Sequence, residues 1–334
     1  MIRLCLLVQV YRIFEVVGEN HTTGNGAEVE KNRGRDMKKI TVVGAPMWLG
    51  QPLFGTQLAP AVIRSAGLIQ SLQLRHTDVS DSGDLEFKSE KDYCSVDDIR
   101  CKIKNLNPVW EGVELLASRV SEIVAEGRFP LILGGDHSIA IGSLAGIARH
   151  YRNLGVIWYD AHADSNTMAT SPSGSIQGMP LAASLGAGQS ELVEVGGYRS
   201  KIKAEHVVLI GVRDIDAGEQ EFIERNQIKQ FTSEDVFRIG IHNVIEEAVS
   251  YLAMQCDGIH LSFDLDVLDP NDAPGVGTPV AGGIRLKETI EAMNLLAKHN
   301  VITSAEFVEV NPLVDKDGKT VKAAIALIEA LLTN

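Results

Sequence analysis

Cysteine is scarce. The four present (Cys5, Cys94, Cys101 and Cys256) are scattered over 334 residues without a C-x-x-C pair. This gives no dithiol motif and reads as the incidental, reduced thiols of a cytoplasmic protein. A loop bridge between Cys94 and Cys101 is the weaker alternative. Positive charge is also in deficit, with 31 Lys and Arg against 44 Asp and Glu and a net charge of −13. No basic footprint exists for nucleic acid or an anionic membrane surface, whereas an acidic field tolerates a cationic small substrate. Leu4 to Val10 is far too short to span a bilayer, and no small-residue cleavage site follows it. Residues 38–334 contain no Pro/Gly/Ser-rich linker and no internal repeat, so they form a single domain. Residues 1–37 differ in composition and are expected to be a disordered extension or a start-site artefact.

What is present is an alternation of short β-branched runs with longer amphipathic stretches. Strands are expected at 40–44, 130–133, 155–159, 206–210, 258–263 and 301–306. Helices are expected at 59–73, 109–126, 138–150, 217–226, 242–254, 286–298 and 321–332. The strand runs are continuously apolar, as parallel strands covered on both faces require. The fold class is therefore α/β: a three-layer sandwich around a doubly wound, mostly parallel sheet.

Three runs end in metal-binding residue types. Trp158-Tyr-Asp-Ala-His-Ala-Asp164 presents Asp160, His162 and Asp164 at alternate positions. Leu261-Ser-Phe-Asp-Leu-Asp266 presents Asp264 and Asp266 with the same step, and Pro130-Leu-Ile-Leu-Gly-Gly-Asp-His137 ends in a histidine. Residues i and i+2 of an extended chain point the same way, and functional groups in parallel sheets gather beyond the carboxyl ends of the strands. A lone aspartate after a strand is usually a turn former or cap, but three such tips together point to a site. Two imidazoles and four carboxylates are too many for one ion and suit a pair sharing bridging carboxylates. The hard, thiolate-free set favours Mn²⁺, with Zn, Co, Ni and Fe as alternatives.

The motifs G-G-D-H-S-I-A-I-G (134–142), W-Y-D-A-H-A-D-S-N-T (158–167), S-P-S-G (171–174), S-F-D-L-D-x-L-D-P (262–270), G-T-P-V-x-G-G (277–283) and E-F-V-E-V-N-P (306–312) stand in order along the chain. From about Lys38 onward the sequence resembles the ureohydrolases, and among them bacterial arginase. The resemblance implies two Mn²⁺ ions, a homo-oligomer (trimer or hexamer) and hydrolysis of L-arginine to L-ornithine and urea. The implied attack on the guanidinium carbon is by a hydroxide bridging the metals. His137, Asp160, Asp164 and Asp264 would hold one ion; His162, Asp160, Asp264 and Asp266 would hold the other. Glu309 matches the carboxylate facing the guanidinium, and Thr278 lines the same pocket. Asn166 and Ser173 match residues holding the α-carboxylate, and Asp216 and Glu219 match positions near the α-amino group. For these last two, a solvated first helical turn is the plain alternative.

The chain departs from the family pattern at four places. Ser175 stands where an asparagine contacts the substrate carboxylate, and Gln177 where a histidine shuttles protons. Gln cannot titrate, and loss of a general acid or base costs about 10²–10⁴-fold when nothing substitutes. Metal-activated attack would remain, with Asp164 or solvent carrying protons. Leu53 replaces an arginine near the entrance, and Val267 replaces a glycine in the ligand-bearing turn, where a positive φ would strain it. Two other readings stay open: another ureohydrolase acting on guanidinobutyrate or agmatine, and an arginine-binding pseudoenzyme.

Overall fold

The computed structural model describes residues 38–76, 78–87 and 103–332. The expectation for residues 1–37 and the Cys94–Cys101 alternative lie outside the described residues. Eight strands form one sheet: β1 Ile40–Ala45, β2 Val79–Asp84, β3 Phe129–Gly134, β4 Leu154–Tyr159, β5 Val207–Val212, β6 Lys229–Thr232, β7 Gly258–Asp264 and β8 Ile302–Val308. Their order is β2-β1-β3-β8-β7-β4-β5-β6, and every neighbouring pair is parallel. The six expected strands are all present. The two unforeseen ones, β2 and β6, are the edges. An edge strand needs no apolar cover on both faces, and Val79-Ser-Asp-Ser-Gly-Asp84 has a single large apolar residue.

The helices are α1 Ala59–Ser65, α2 Leu68–Arg75, α3 Leu106–Ala125, α4 Ala140–Ala148, α5 Pro180–Ser184, α6 Ser190–Val193, α7 Ala217–Asn226, α8 Ser233–Ile239, α9 Ile241–Ala253, α10 Leu286–His299 and α11 Lys319–Leu332. The expected single helix over 59–73 is two, because Gly67 at φ 99° breaks the first and starts the second. Strand periodicity divides the core. Ile40, Val42, Leu131, Leu133, Ile157, Tyr159, Val208 and Ile210 pack with α1, α2 and α8–α11. Val43, Ala45, Ile132, Val156, Trp158, Val207 and Leu209 pack on the other face with α3–α7. The central strands are thus mostly apolar because both of their faces are buried, which is the three-layer arrangement. The strand tips are consequently where polar groups can collect without costing core burial.

Candidate metal centre and substrate cleft

Four neighbouring strands, β3-β8-β7-β4, end side by side and carry the candidate residues. His137 follows β3, Glu309 follows β8, Asp264 closes β7 with Asp266 in the next turn, and Asp160, His162 and Asp164 follow β4. His137 Nδ1 lies 3.0 Å from Asp160 Oδ2, 2.9 Å from Asp164 Oδ2 and 3.3 Å from Asp264 Oδ2. His162 Nδ1 lies 3.3 Å from Asp160 Oδ1 and 3.1 Å from Asp266 Oδ2. Two groups able to hold a cation result, His137/Asp160/Asp164 and Asp160/His162/Asp266, and Asp160 belongs to both. Asp264 stands beside the first group, while its Oδ1 accepts the Asp266 N–H at 2.7 Å.

Local turns aim these side chains. Asp160 Oδ1 accepts the His162 N–H at 2.7 Å, and Asp266 Oδ1 accepts the Ala161 N–H at 3.1 Å, lacing the β4 and β7 tips together. Trp158 Nε1 donates to Asp160 Oδ2 at 3.0 Å, and its indole stacks on His137 at 4.4 Å between ring centroids. Asp164 and Glu309 are non-glycine residues at φ 48° and 64°. Backbone in this region is costly for L-residues and concentrates at functional sites. Val267, by contrast, is not among the residues with positive φ, so the strain expected there does not arise. Gly211, at the end of β5, makes the room: a Cβ on it would lie 2.3 Å from Val267 Cγ2. The Arg213 guanidinium secures the same turn, donating to the carbonyls of Asp266 (2.7 Å), Val267 (3.2 Å) and Val280 (2.9 Å).

The electrostatics are those of a buried cluster of like charges. Asp160, Asp164, Asp264 and Asp266 are all buried. Burial, with the neighbouring Asp160 charge, pushes Asp164 up to about 8. Burial and repulsion from Asp266 and Asp160 carry Asp264 well above the carboxylate range. Burial resists protonation of His137, but Asp160, Asp164 and Asp264 outweigh it and raise its pKa well above the usual value. Burial likewise resists Asp160 ionisation, and the two histidines overcome it and lower its pKa. His137 Nδ1 is nonetheless fully buried without a well-formed hydrogen bond, despite three carboxylate oxygens around it. A lone pair and several anions converging on one point fit divalent cations.

Above this floor opens a cleft of about 240 Å³, lined among others by Asn166, Ser173, Ser175, Gln177, Asp216, Glu219, Thr278 and Glu309. All the substrate-side residues expected from the sequence therefore line one cavity with four of the candidate ligands, His137, His162, Asp164 and Asp264. Leu53 does not line it and is 46% exposed. Asp216 and Glu219 also cap α7: Glu219 Oε2 accepts the Asp216 N–H at 3.0 Å. Capping and cleft lining are thus the same placement, not alternatives. Glu219 Oε1 accepts the Ser165 N–H at 2.9 Å, and Asn166 Nδ2 donates to Asp216 Oδ2 at 2.9 Å. Burial pushes Glu219 up to about 7. Thr278 Oγ1 donates to Asp266 Oδ2 at 3.1 Å, joining the cleft wall to a candidate ligand. Ser173 Oγ accepts the Ser175 N–H at 3.1 Å.

Behind the candidate ligands lie residues that the sequence reading passed over. His137 Nε2 is 2.8 Å from Ser262 Oγ, which donates to Glu306 Oε1 at 2.8 Å, and His260 Nε2 is 3.3 Å from the same oxygen. Such outer partners fix the orientation of a metal-binding imidazole. Their signal was legible: His260, Ser262, Ser304 and Glu306 are alternate polar positions within otherwise apolar runs.

Fold and centre define a class: an α/β protein with a buried His/Asp centre at the carboxyl edge of a parallel sheet, under an acidic cleft. A sequence profile of the arginase family matches residues 38–333. An arginase of Bacillus caldovelox is 54% identical over 296 residues, spanning 88% of this chain and 98% of its own length. Its solved native structure superposes with a TM-score of 0.86 over 89% of this chain and 99% of that one. An Entamoeba histolytica arginase solved with L-ornithine is 32% identical, with a TM-score of 0.81 over 88% of this chain and 98% of that one. This chain belongs to the arginase family.

Proposed function

We propose that the protein hydrolyses L-arginine to L-ornithine and urea with two Mn²⁺ ions. The observation that carries this reading is the single cleft that joins the His/Asp floor to Glu309 and to a polar rim. The fit of the residues to divalent cations rests on the shared Asp160 and on the orphaned His137 Nδ1. His137, Asp160, Asp164 and Asp264 would hold one ion, and His162, Asp160, Asp264 and Asp266 the other. When bound, such a pair lowers the pKa of shared water enough to supply hydroxide near neutral pH.

The chain's own groups do the rest. Glu309 faces the guanidinium and holds its plane by charge-assisted hydrogen bonds, with Thr278 alongside. Asn166, Ser173 and Ser175 take the α-carboxylate, and Asp216 and Glu219 take the α-ammonium. Holding both ends of the substrate presents the guanidinium carbon to the floor in one orientation. Gln177 lines the cleft but has no proton to give, so protonation of the departing amine falls to Asp164 or solvent. The protein acts in the cytoplasm as a homo-oligomer, a trimer or hexamer, without nucleic-acid or membrane partners. Among the described residues no helix is long and apolar enough to cross a membrane.

Urea release from arginine, agmatine and 4-guanidinobutyrate, each with Mn²⁺-loaded protein, tests the reading. Arginine is expected to give the highest kcat/KM. A preference for agmatine, which has no carboxylate, would sink the roles given to Ser173 and Asn166. Metal and arginine binding without urea would instead establish the pseudoenzyme.

A further inference from the structure

Glu309 is held by two donors from opposite sides. Its Oε1 accepts the His137 backbone N–H at 2.8 Å, and its Oε2 accepts Gln51 Nε2 at 3.1 Å. Gln51 is 4% exposed and does not line the cleft, so it stands behind Glu309. The direction of its amide follows from donor counting. Thr56 has one hydroxyl proton and gives it to the Met47 carbonyl, 3.2 Å away. Thr56 Oγ1 can then only accept from Gln51 Nε2, at 3.1 Å. Both amide protons are therefore committed, one to Thr56 and one to Glu309. A flipped amide would set its carbonyl against a carboxylate oxygen.

The loop carrying Gln51 is itself fixed at three points. Gly50 N–H donates to Asp136 Oδ2 at 2.8 Å, the Gly50 carbonyl accepts the Gln177 N–H at 3.1 Å, and the Leu49 carbonyl accepts Asn105 Nδ2 at 2.9 Å. A buried amide with no free proton, on a loop tied to three separate segments, holds its acceptor in one orientation. With one donor on each oxygen, the plane of the Glu309 carboxylate is set and its remaining lone pairs are left for the cleft.

We propose that Gln51 is a positioning residue for guanidinium recognition: it orients Glu309 to meet a planar cation without touching the substrate itself. The proposal rests on the reading of Glu309 as the guanidinium partner. Hydrogen bonds to charged groups carry enough energy that losing this one weakens guanidinium binding about 10- to 100-fold.

The test uses full-length Mn²⁺-loaded protein and three variants. Gln51→Met keeps the volume and removes both donors, Gln51→Glu keeps the shape and sets an acceptor against Glu309, and Thr56→Val removes only the anchor of the amide. The Gln51 variants should raise KM for arginine about 10- to 100-fold while kcat stays within about threefold, the signature of lost uniform binding. Thr56→Val should move KM in the same direction by less. Inhibition by L-norvaline, which has the same α-ammonium and α-carboxylate but no cationic end, should be unchanged in all three. A merely structural role would weaken norvaline and arginine together, and that result would overturn the proposal, as would an unmoved KM in both Gln51 variants. Wild-type protein silent toward arginine overturns the underlying reading as well. An active wild type with unmoved variants overturns the role of Gln51 alone.

Discussion

Asp160→Asn removes a negative charge from the one residue that both histidine groups share, with Oδ2 3.0 Å from His137 Nδ1 and Oδ1 3.3 Å from His162 Nδ1. An asparagine offers one oxygen, so at least one group must face an amide NH₂ instead of an acceptor. Metal supplied at about a thousand times its Kd stabilises a folded protein by about 4 kcal/mol per ion. Two ions then contribute about 8 kcal/mol, which for a chain of this size is a rise of roughly 15 °C in Tm. If the substitution weakens each site about a hundredfold, the gain at the same Mn²⁺ concentration falls to about 3 kcal/mol, or roughly 5 °C. Asp266→Asn is the control, because Asp266 belongs to the His162 group only. Its Mn²⁺-induced shift should fall between those of wild type and Asp160→Asn. The assay is thermal unfolding with and without Mn²⁺, alongside metal stoichiometry after gel filtration. The shared-ligand reasoning fails if Asp160→Asn keeps the wild-type shift, or if Asp266→Asn loses more than Asp160→Asn does.

Three other outcomes are expected. Gln177→His restores a titratable group to the cleft and should raise kcat for arginine at least tenfold near pH 8–9, within the range of general acid–base catalysis; an unchanged kcat would show that proton transfer there is not limiting. Glu219, raised to about 7 by burial, must be ionised to meet an ammonium, so KM for arginine should fall as pH rises through about 7 and level off above it. The drop from pH 6 to pH 8 should be about tenfold and should flatten in Glu219→Gln; a wild-type profile that is flat across this window would remove Glu219 from head-group binding. Gly211→Ala places a Cβ against Val267 at a φ of 95°, and should cost about 2–4 kcal/mol, read as lowered Tm. Adding Val267→Gly should recover only the steric share, leaving the backbone penalty, and full recovery would contradict the φ argument.

The limits of the sequence show in particular residues. β1, β3, β4, β5, β7 and β8 were legible because strands covered on both faces are apolar at most positions. β2 and β6 were not, since an edge strand is defined by its neighbour rather than its own side chains. The break at Gly67 was hidden inside a continuous helical pattern, and the strain expected at Val267 does not arise because its φ is not positive. His260 and Glu306 looked like polar interruptions of strands until the sheet placed them side by side behind His137.

Alternation along extended chain fixes which residues point together, so the amino-acid order alone determined the α/β class and which candidate residues share each of the three strand tips. Without the family resemblance it could not say that Asp160 faces both histidines, because that depends on β3, β7 and β4 ending at one level of the same sheet. Nor could it find Gln51, whose partner Glu309 lies 258 residues further along the chain. Local order reaches only a few residues along the backbone. The orientation of a buried carboxylate is decided by whichever distant donors the packed sheet brings to its two oxygens.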